Sequence, residues 1–214
     1  SIEVYILTGS KEIQKYAAEL KSTAQSAVVA TKKSLPINDV DIVFYDTPDA
    51  TFTEDELGGI GGFTPNTHIV FIPLNPRHPR FESSLKNELF FTLVHELHHT
   101  IRWQKQVEGD TLLEAMIFEG LADHFAMEVT GRTKPTIYSN ALTAEQKKIF
   151  LEKASTEWLK PSYNHPAWFY GAIPNEIPRW TGYTLGFDLI SVYLKEHPAV
   201  LPHTLVTADA SLFV

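Results

Sequence analysis

The chain has 214 residues, 43% of them hydrophobic, and carries 26 acidic against 18 basic residues for a net charge of −8 at pH 7. That length suits one domain with one substantial core, and an acidic balance without like-charged runs excludes an electrostatic footprint for nucleic acid. Cysteine is absent, which excludes disulfides, thiolate metal ligands and cysteine nucleophiles.

No window approaches the roughly 18 apolar residues needed to cross a bilayer. The expectation is a soluble chain with no transmembrane segment, cytoplasmic or exported after removal of a leader not contained in these residues. Ile2 to Leu7 alternates apolar and polar residues and predicts a strand; Ser10 could then cap a helix to about Lys33, which Pro36 ends. Val40 to Tyr45 and Thr67 to Pro73 are β-branched and aromatic, predicting neighbouring strands joined through the Gly-rich Gly58 to Gly62. From Ser84 the period turns helical, with a break near Glu108-Gly109-Asp110 that divides a helix over Ser84 to Val107 from one over Thr111 to Thr130. Further helices are expected over Thr143 to Leu159 and Tyr183 to Glu196, separated by an aromatic and Pro-rich stretch from Pro161 to Trp180. The expected fold is α+β in one domain over 1–214. A small mixed sheet with its helix, about 1–81, packs on a mainly helical part, about 82–214, with an active-site cleft between.

His95-Glu96-Leu97-His98-His99 is an H-E-x-x-H pattern within an amphipathic helix. Four residues advance a helix by about 400°, so His95 and His99 project from one face a turn apart, where two imidazoles can bind one tetrahedral Zn²⁺. Glu96 lies about 100° around the helix, next to that face, where a carboxylate can take a proton from activated water and pass it to the leaving amine. His98 is the alternative partner of His95, but Glu96 is correctly placed only in the frame of His95 and His99. On the next predicted helix Phe118-Glu119-Gly120-Leu121-Ala122-Asp123 places Glu119 20 positions after His99. Glu119 would complete a His₂Glu site with a fourth position open, and Asp123, one turn on, could accept the remaining N–H of His95. The expected cofactor is one catalytic zinc ion.

HExxH followed on a second helix by an ExxxD pattern resembles the gluzincins, with the spacing of thermolysin-like enzymes. The stretch from Phe90 to Gly131, with HELHH and FEGLADHFA, and the later PRWTGYTLGF resemble the YjaZ-like family of predicted zinc-dependent proteases. The resemblance implies a zincin-like fold and hydrolysis of peptide bonds in a peptide or protein substrate. It also implies that a tyrosine downstream of the Glu-bearing helix stabilises the charge that develops on the carbonyl oxygen. Tyr183, flanked by Gly182 and Gly186, is the foremost candidate and equally reads as a core aromatic. His165 and Tyr170 remain alternative donors.

An exposed sheet edge is the expected platform for a peptide, and Gly59, Gly61 and Gly62 lie where they could admit its backbone. Arg179 is a candidate for holding a substrate carboxylate. A zinc-binding but non-catalytic interaction or chaperone-like module is the alternative to a peptidase.

Overall fold

Strand segments that alternate in polarity bury one face, and in this chain the buried residues line up across strands. A computed structural model describes residues 1–48, 57–105 and 110–214, so the expected helix end at Val107 and the Glu108-Gly109 break lie outside the described residues. The backbone groups into two compact units, Ser1–Gln104 and Lys105–Val214. The HELHH helix therefore belongs with the N-terminal sheet, whereas the sequence reading divides the chain near residue 82.

In the first unit β1 (Ile2–Ile6), β2 (Val40–Asp46) and β3 (Ile69–Leu74) form a sheet in the order β1-β2-β3. All three strands are parallel, a correction to the expected mixed sheet. The alternation that predicted the strands is the same in either direction, so it carries no sign of it. The register sets Val4 opposite Ile42 and Ile42 opposite Val70, then Phe44 opposite Ile72. Ile42, Val70, Phe44 and Ile72 are fully buried.

The helix expected from Ser10 to Lys33 is two, α1 (Lys11–Gln14) and α2 (Ala17–Lys32), with Tyr16 off helical geometry at φ −102, ψ 0. The helix expected from Ser84 is likewise divided into α3 (Phe81–Asn87) and α4 (Leu89–Arg102), with Glu88 at φ −120 between them. Apolar periodicity runs through both breaks, which is why it does not reveal them. α2 packs on α4 and β1, and α4 on β3.

Antiparallel pairing enters through the Gly-rich segment, where Ile60 bridges Leu74 and Phe63 bridges Phe71. Gly61 donates its N–H to Pro73 O at 3.0 Å, Phe63 and Phe71 exchange hydrogen bonds, and Gly59 O accepts from Asn75 N at 2.8 Å. Pro73 has no N–H to return, a loss tolerated beside an edge segment.

In the second unit α5 (Leu112–Thr130) is capped by the Thr111 side chain, which accepts from Glu114 N, and ended by Gly131 in the left-handed region at φ 73. It is apolar on more than one side because it serves two cores. Leu112 and Met116 join Leu142, Trp168, Phe169 and Leu185, while Leu113, Ile117 and Leu121 join Ile190, Leu205 and Phe213. α6 (Ala144–Ser155) begins with a capping box of Thr143 and Gln146. Within the Pro-rich stretch lies a short helix the periodicity did not predict, α7 (His165–Tyr170), opened by Asn164 and Pro166.

α8 (Thr181–Glu196) makes the most extensive contact with α5. A Cβ on Gly186 would fall 2.0 Å from Met116 O, and one on Gly120 would fall 2.4 Å from Gly186 O. Neither glycine has a positive φ, so the requirement is for space rather than for backbone freedom. Gly186→Ala should destabilise the protein by about 1–3 kcal/mol or more, because two helix backbones must separate. Gly9→Ala, where nothing lies within 4 Å, should stay within roughly 0.5 kcal/mol. Equal urea midpoints for the two variants would show that the helices do not meet at backbone contact.

Candidate metal centre

α4 has the sequence LFFTLVHELHHTIR. Leu89, Leu93, Val94, Leu97 and Ile101 are buried, as an amphipathic stripe requires, but His95, Glu96, His98, His99 and Arg102 are buried as well. Taking ionisable side chains out of water costs several kcal/mol each unless hydrogen bonds, opposite charge or a metal compensate. The polar side of α4 must therefore face polar chemistry. His95 and His99 stand one turn apart with ring centroids 4.5 Å apart and planes at 86°.

Glu96, 4% exposed, is held on two sides. Its Oε1 accepts from Thr64 Oγ1 at 2.9 Å, and its Oε2 lies 3.7 Å from His95 Nε2. Thr64 Oγ1 is also 3.2 Å from Glu96 O, and Thr64 O accepts from Trp103 Nε1 at 2.7 Å. A Cβ on Gly62 would come 2.8 Å from Glu96 Cγ and 2.9 Å from Oε2. Thr64 and Trp103 were not singled out by the sequence. Their part arises from chain pairing more than 30 residues away, and no local pattern marks them.

The three glycines expected to admit substrate are not equivalent. Gly59, at φ +86, and Gly61 direct hydrogen-bonding groups into the ladder with β3. Gly62 lies between Gly61 and Phe63, so its N–H and C=O point away from β3 by the alternation of an antiparallel pair. It is exposed, as is Phe63.

Glu119 lies half-buried on α5. Its charge acts on Tyr138, Tyr163 and His165. Burial pushes the Tyr138 hydroxyl well above its ordinary pKa, reinforced by the carboxylates of Asp123 and Glu119. Burial likewise raises Tyr163, reinforced by Asp110 and Glu119, and lowers His165 against the opposing pull of Glu119 and Asp110. Tyr163 Oη and His165 Nδ1 share a hydrogen bond of 2.7 Å, and the His165 ring stacks on Phe169 at 4.4 Å.

Asp123 accepts from Thr136 Oγ1 at 2.9 Å, Tyr138 Oη at 3.2 Å and Ser139 Oγ at 2.5 Å. These hydroxyl partners were not anticipated. Tyr183, in the first turn of α8, packs 5.0 Å from both the Tyr138 and Phe169 rings. Arg179 lies 3.8 Å over the Trp180 ring, and burial lowers its pKa.

One ligand atom from each of His95, His99 and Glu119 lies within 4.8 Å of the others. Donors around a tetrahedral zinc stand about 3.3 Å apart, and imidazole and carboxylate are both zinc ligands, so this set, with its histidines buried and Glu119 half-buried, fits zinc. His98, fully buried with its ring 6.5 Å from that of His99, is not part of the set.

A family described as predicted Zn-dependent protease (DUF2268) matches residues 20–213. The chain belongs to that family. It is also similar to the uncharacterized protein YjaZ of Bacillus subtilis (strain 168), 29% identical over 113 residues, which are 50% of this chain and 42% of that protein. The match thus spans less than half the length of that relative. No solved structure matches the chain. Among the described residues no helix is long and apolar enough to cross a membrane.

Calorimetric titration of metal-free protein with Zn²⁺ should give one equivalent bound. His95→Ala and His99→Ala should each weaken binding beyond the roughly 10–100-fold typical of changes outside the ligand set, and His98→Ala should stay below that. Undiminished binding in His95→Ala would remove this residue from the metal site.

Proposed function

We propose that this protein is a zinc metallopeptidase of zincin-like fold, in which His95, His99 and Glu119 hold one catalytic ion and Glu96 is the general base. The observation that carries the proposal is Glu96 itself: a buried carboxylate with one oxygen bound to Thr64 and the other turned toward His95. The family description and the His, His, Glu set support it. A bound zinc supplies Lewis acidity, lowering the pKa of water and polarising a carbonyl.

The chain's own residues supply the rest. Glu96 accepts the proton of the attacking water on Oε2 and returns it to the amine nitrogen as the C–N bond breaks. Asp123 orients the His95 ring. The substrate backbone lies along Ile60 to Phe63 as an added strand, using the outward N–H and C=O of Gly62, while Gly59 and Gly61 shape the edge from within the ladder. Arg179 holds a substrate carboxylate. Tyr183 donates to the oxygen on which charge develops. His165, which shares a hydrogen bond with Tyr163 through Nδ1, is a second candidate donor, favoured by its interaction with the Glu119 charge.

Digestion of a broad peptide library should show chelator-sensitive cleavage, and Glu96→Gln should lose about 10²–10⁴-fold in rate while still binding zinc. Full activity in Glu96→Gln would refute the assignment of the base. Absence of cleavage by the wild type with zinc bound would instead favour a non-catalytic binding module.

Removing the donor should lower kcat by about 10²–10³-fold with little change in KM. Comparison of Tyr183→Phe with His165→Ala decides which residue it is. Unchanged kcat in both would mean that neither is the donor.

A further inference from the structure

A general base on a helix is a flexible side chain with three rotatable bonds, yet a proton-transfer group must be held to within about 0.5 Å of its working position. The rigidity has to come from its neighbours. On α4, Glu96 follows His95, whose Nε2 lies 3.7 Å from Oε2.

The edge segment paired with β3 reaches its carboxylate through Thr64. We propose that Thr64 is the positioning residue for Glu96, with Gly62 as the second wall of the same cradle. The claim rests on the reading of Glu96 as general base.

Four observations support the assignment. The Thr64 hydroxyl is 2.9 Å from Oε1, short enough for a charge-assisted bond. Thr64 is 4% exposed, so its hydroxyl is shielded from bulk water. Its main chain is anchored by the Trp103 indole at 2.7 Å, and Trp103 N bonds to His99 O at 2.9 Å just past the end of α4. The donor is thereby tied to the helix that bears its acceptor. Finally, Gly62 bounds the other oxygen: its missing Cβ would lie 2.9 Å from Oε2 and Cδ, while its φ is not in the left-handed region.

Gly62 is therefore glycine for lack of room. One carboxylate oxygen is tethered to Thr64, and the other is confined by Gly62 on the side of His95. The β3 ladder fixes both walls, because Phe63, between them, exchanges hydrogen bonds with Phe71.

The test uses the full chain and the variants Thr64→Val, which keeps the volume and removes the donor, Thr64→Ser, which keeps the donor, and Gly62→Ala. Crystal structures of the metal-free proteins supply a readout that does not depend on turnover. The wild type and Thr64→Ser should show Glu96 in one rotamer with Oε1 bonded to residue 64. Thr64→Val and Gly62→Ala should show it displaced or in several rotamers.

In peptide cleavage, Thr64→Val and Gly62→Ala should lose about 10–100-fold in kcat, the scale of an ångström's misplacement. KM and zinc stoichiometry should be unchanged for Thr64→Val, and Thr64→Ser should recover most of the rate. A wild-type crystal lacking the Thr64–Glu96 bond, a Glu96 rotamer unchanged in Thr64→Val, or equal loss in Thr64→Ser and Thr64→Val would overturn the assignment. If the wild type cleaves no peptide, the peptidase reading fails, whereas the positional claim is still decided by the Glu96 rotamers.

Discussion

The constraint on which the first unit depends is the burial of ionisable side chains along the polar side of one short helix. α4 must present Leu93, Val94, Leu97 and Ile101 to the apolar core and, on the same four turns, hide His95, Glu96, His99 and Arg102 from water. A helix can do this only if its polar side meets compensating groups, since an uncompensated buried charge would consume much of a domain's net stability. For Glu96 the compensation is visible in Thr64 and its tether to Trp103. For the histidines it is the chemistry of a ligand set that a divalent ion would complete. The parallel sheet fits this demand, because β3 packs on α4 and pairs along its edge with the segment from Ile60 to Phe63.

The second unit obeys the same rule by different means. α5 is enclosed by two apolar clusters, so its acids need partners close by. Asp123 draws in three hydroxyls from one turn of chain between Thr136 and Ser139. Glu128 receives the main-chain N–H and Nδ1 of His203 at 3.1 and 2.8 Å. Gly120, next to Glu119, meets Gly186 at backbone contact, and Tyr183 stands one turn before Gly186 on α8. The close approach of the two helices thus sets the distance between α5 and the first turn of α8. A methyl group there would alter the surroundings of Glu119 as well as the packing.

Much of this was legible where spacing along one element decides the outcome. The strands Ile2–Ile6, Val40–Asp46 and Ile69–Leu74 fall within about two residues of the expected ones, since period-two alternation is local. His95 and His99 share a face because four residues of helix leave no other choice. The breaks at Tyr16 and Glu88 were not legible, because the apolar stripe continues through them. Nor was the parallel direction of the sheet, or α7 within a Pro-rich stretch. Thr64 escaped for a deeper reason: its hydroxyl matters only once Phe63 pairs with Phe71 and α4 crosses β3. Neither event leaves a mark on the residues around it.

The glycines between Gly58 and Gly62 show how composition understates structure. As a sequence they read as one permissive stretch. In the fold each answers a separate demand. Gly58 and Gly59 take left-handed backbone, at φ +67 and +86, where a side chain would be strained whatever the space around it. Gly61 contributes a single bond to Pro73, the one position of β3 that cannot reciprocate. Gly62 alone combines an outward-facing backbone with a carboxylate in the place of its own Cβ. If a peptide adds to this edge as proposed, the residue that would hydrogen-bond it is also the residue that cannot acquire a side chain without moving Glu96. Substrate alignment and base alignment would then be coupled through one backbone unit of the sheet edge.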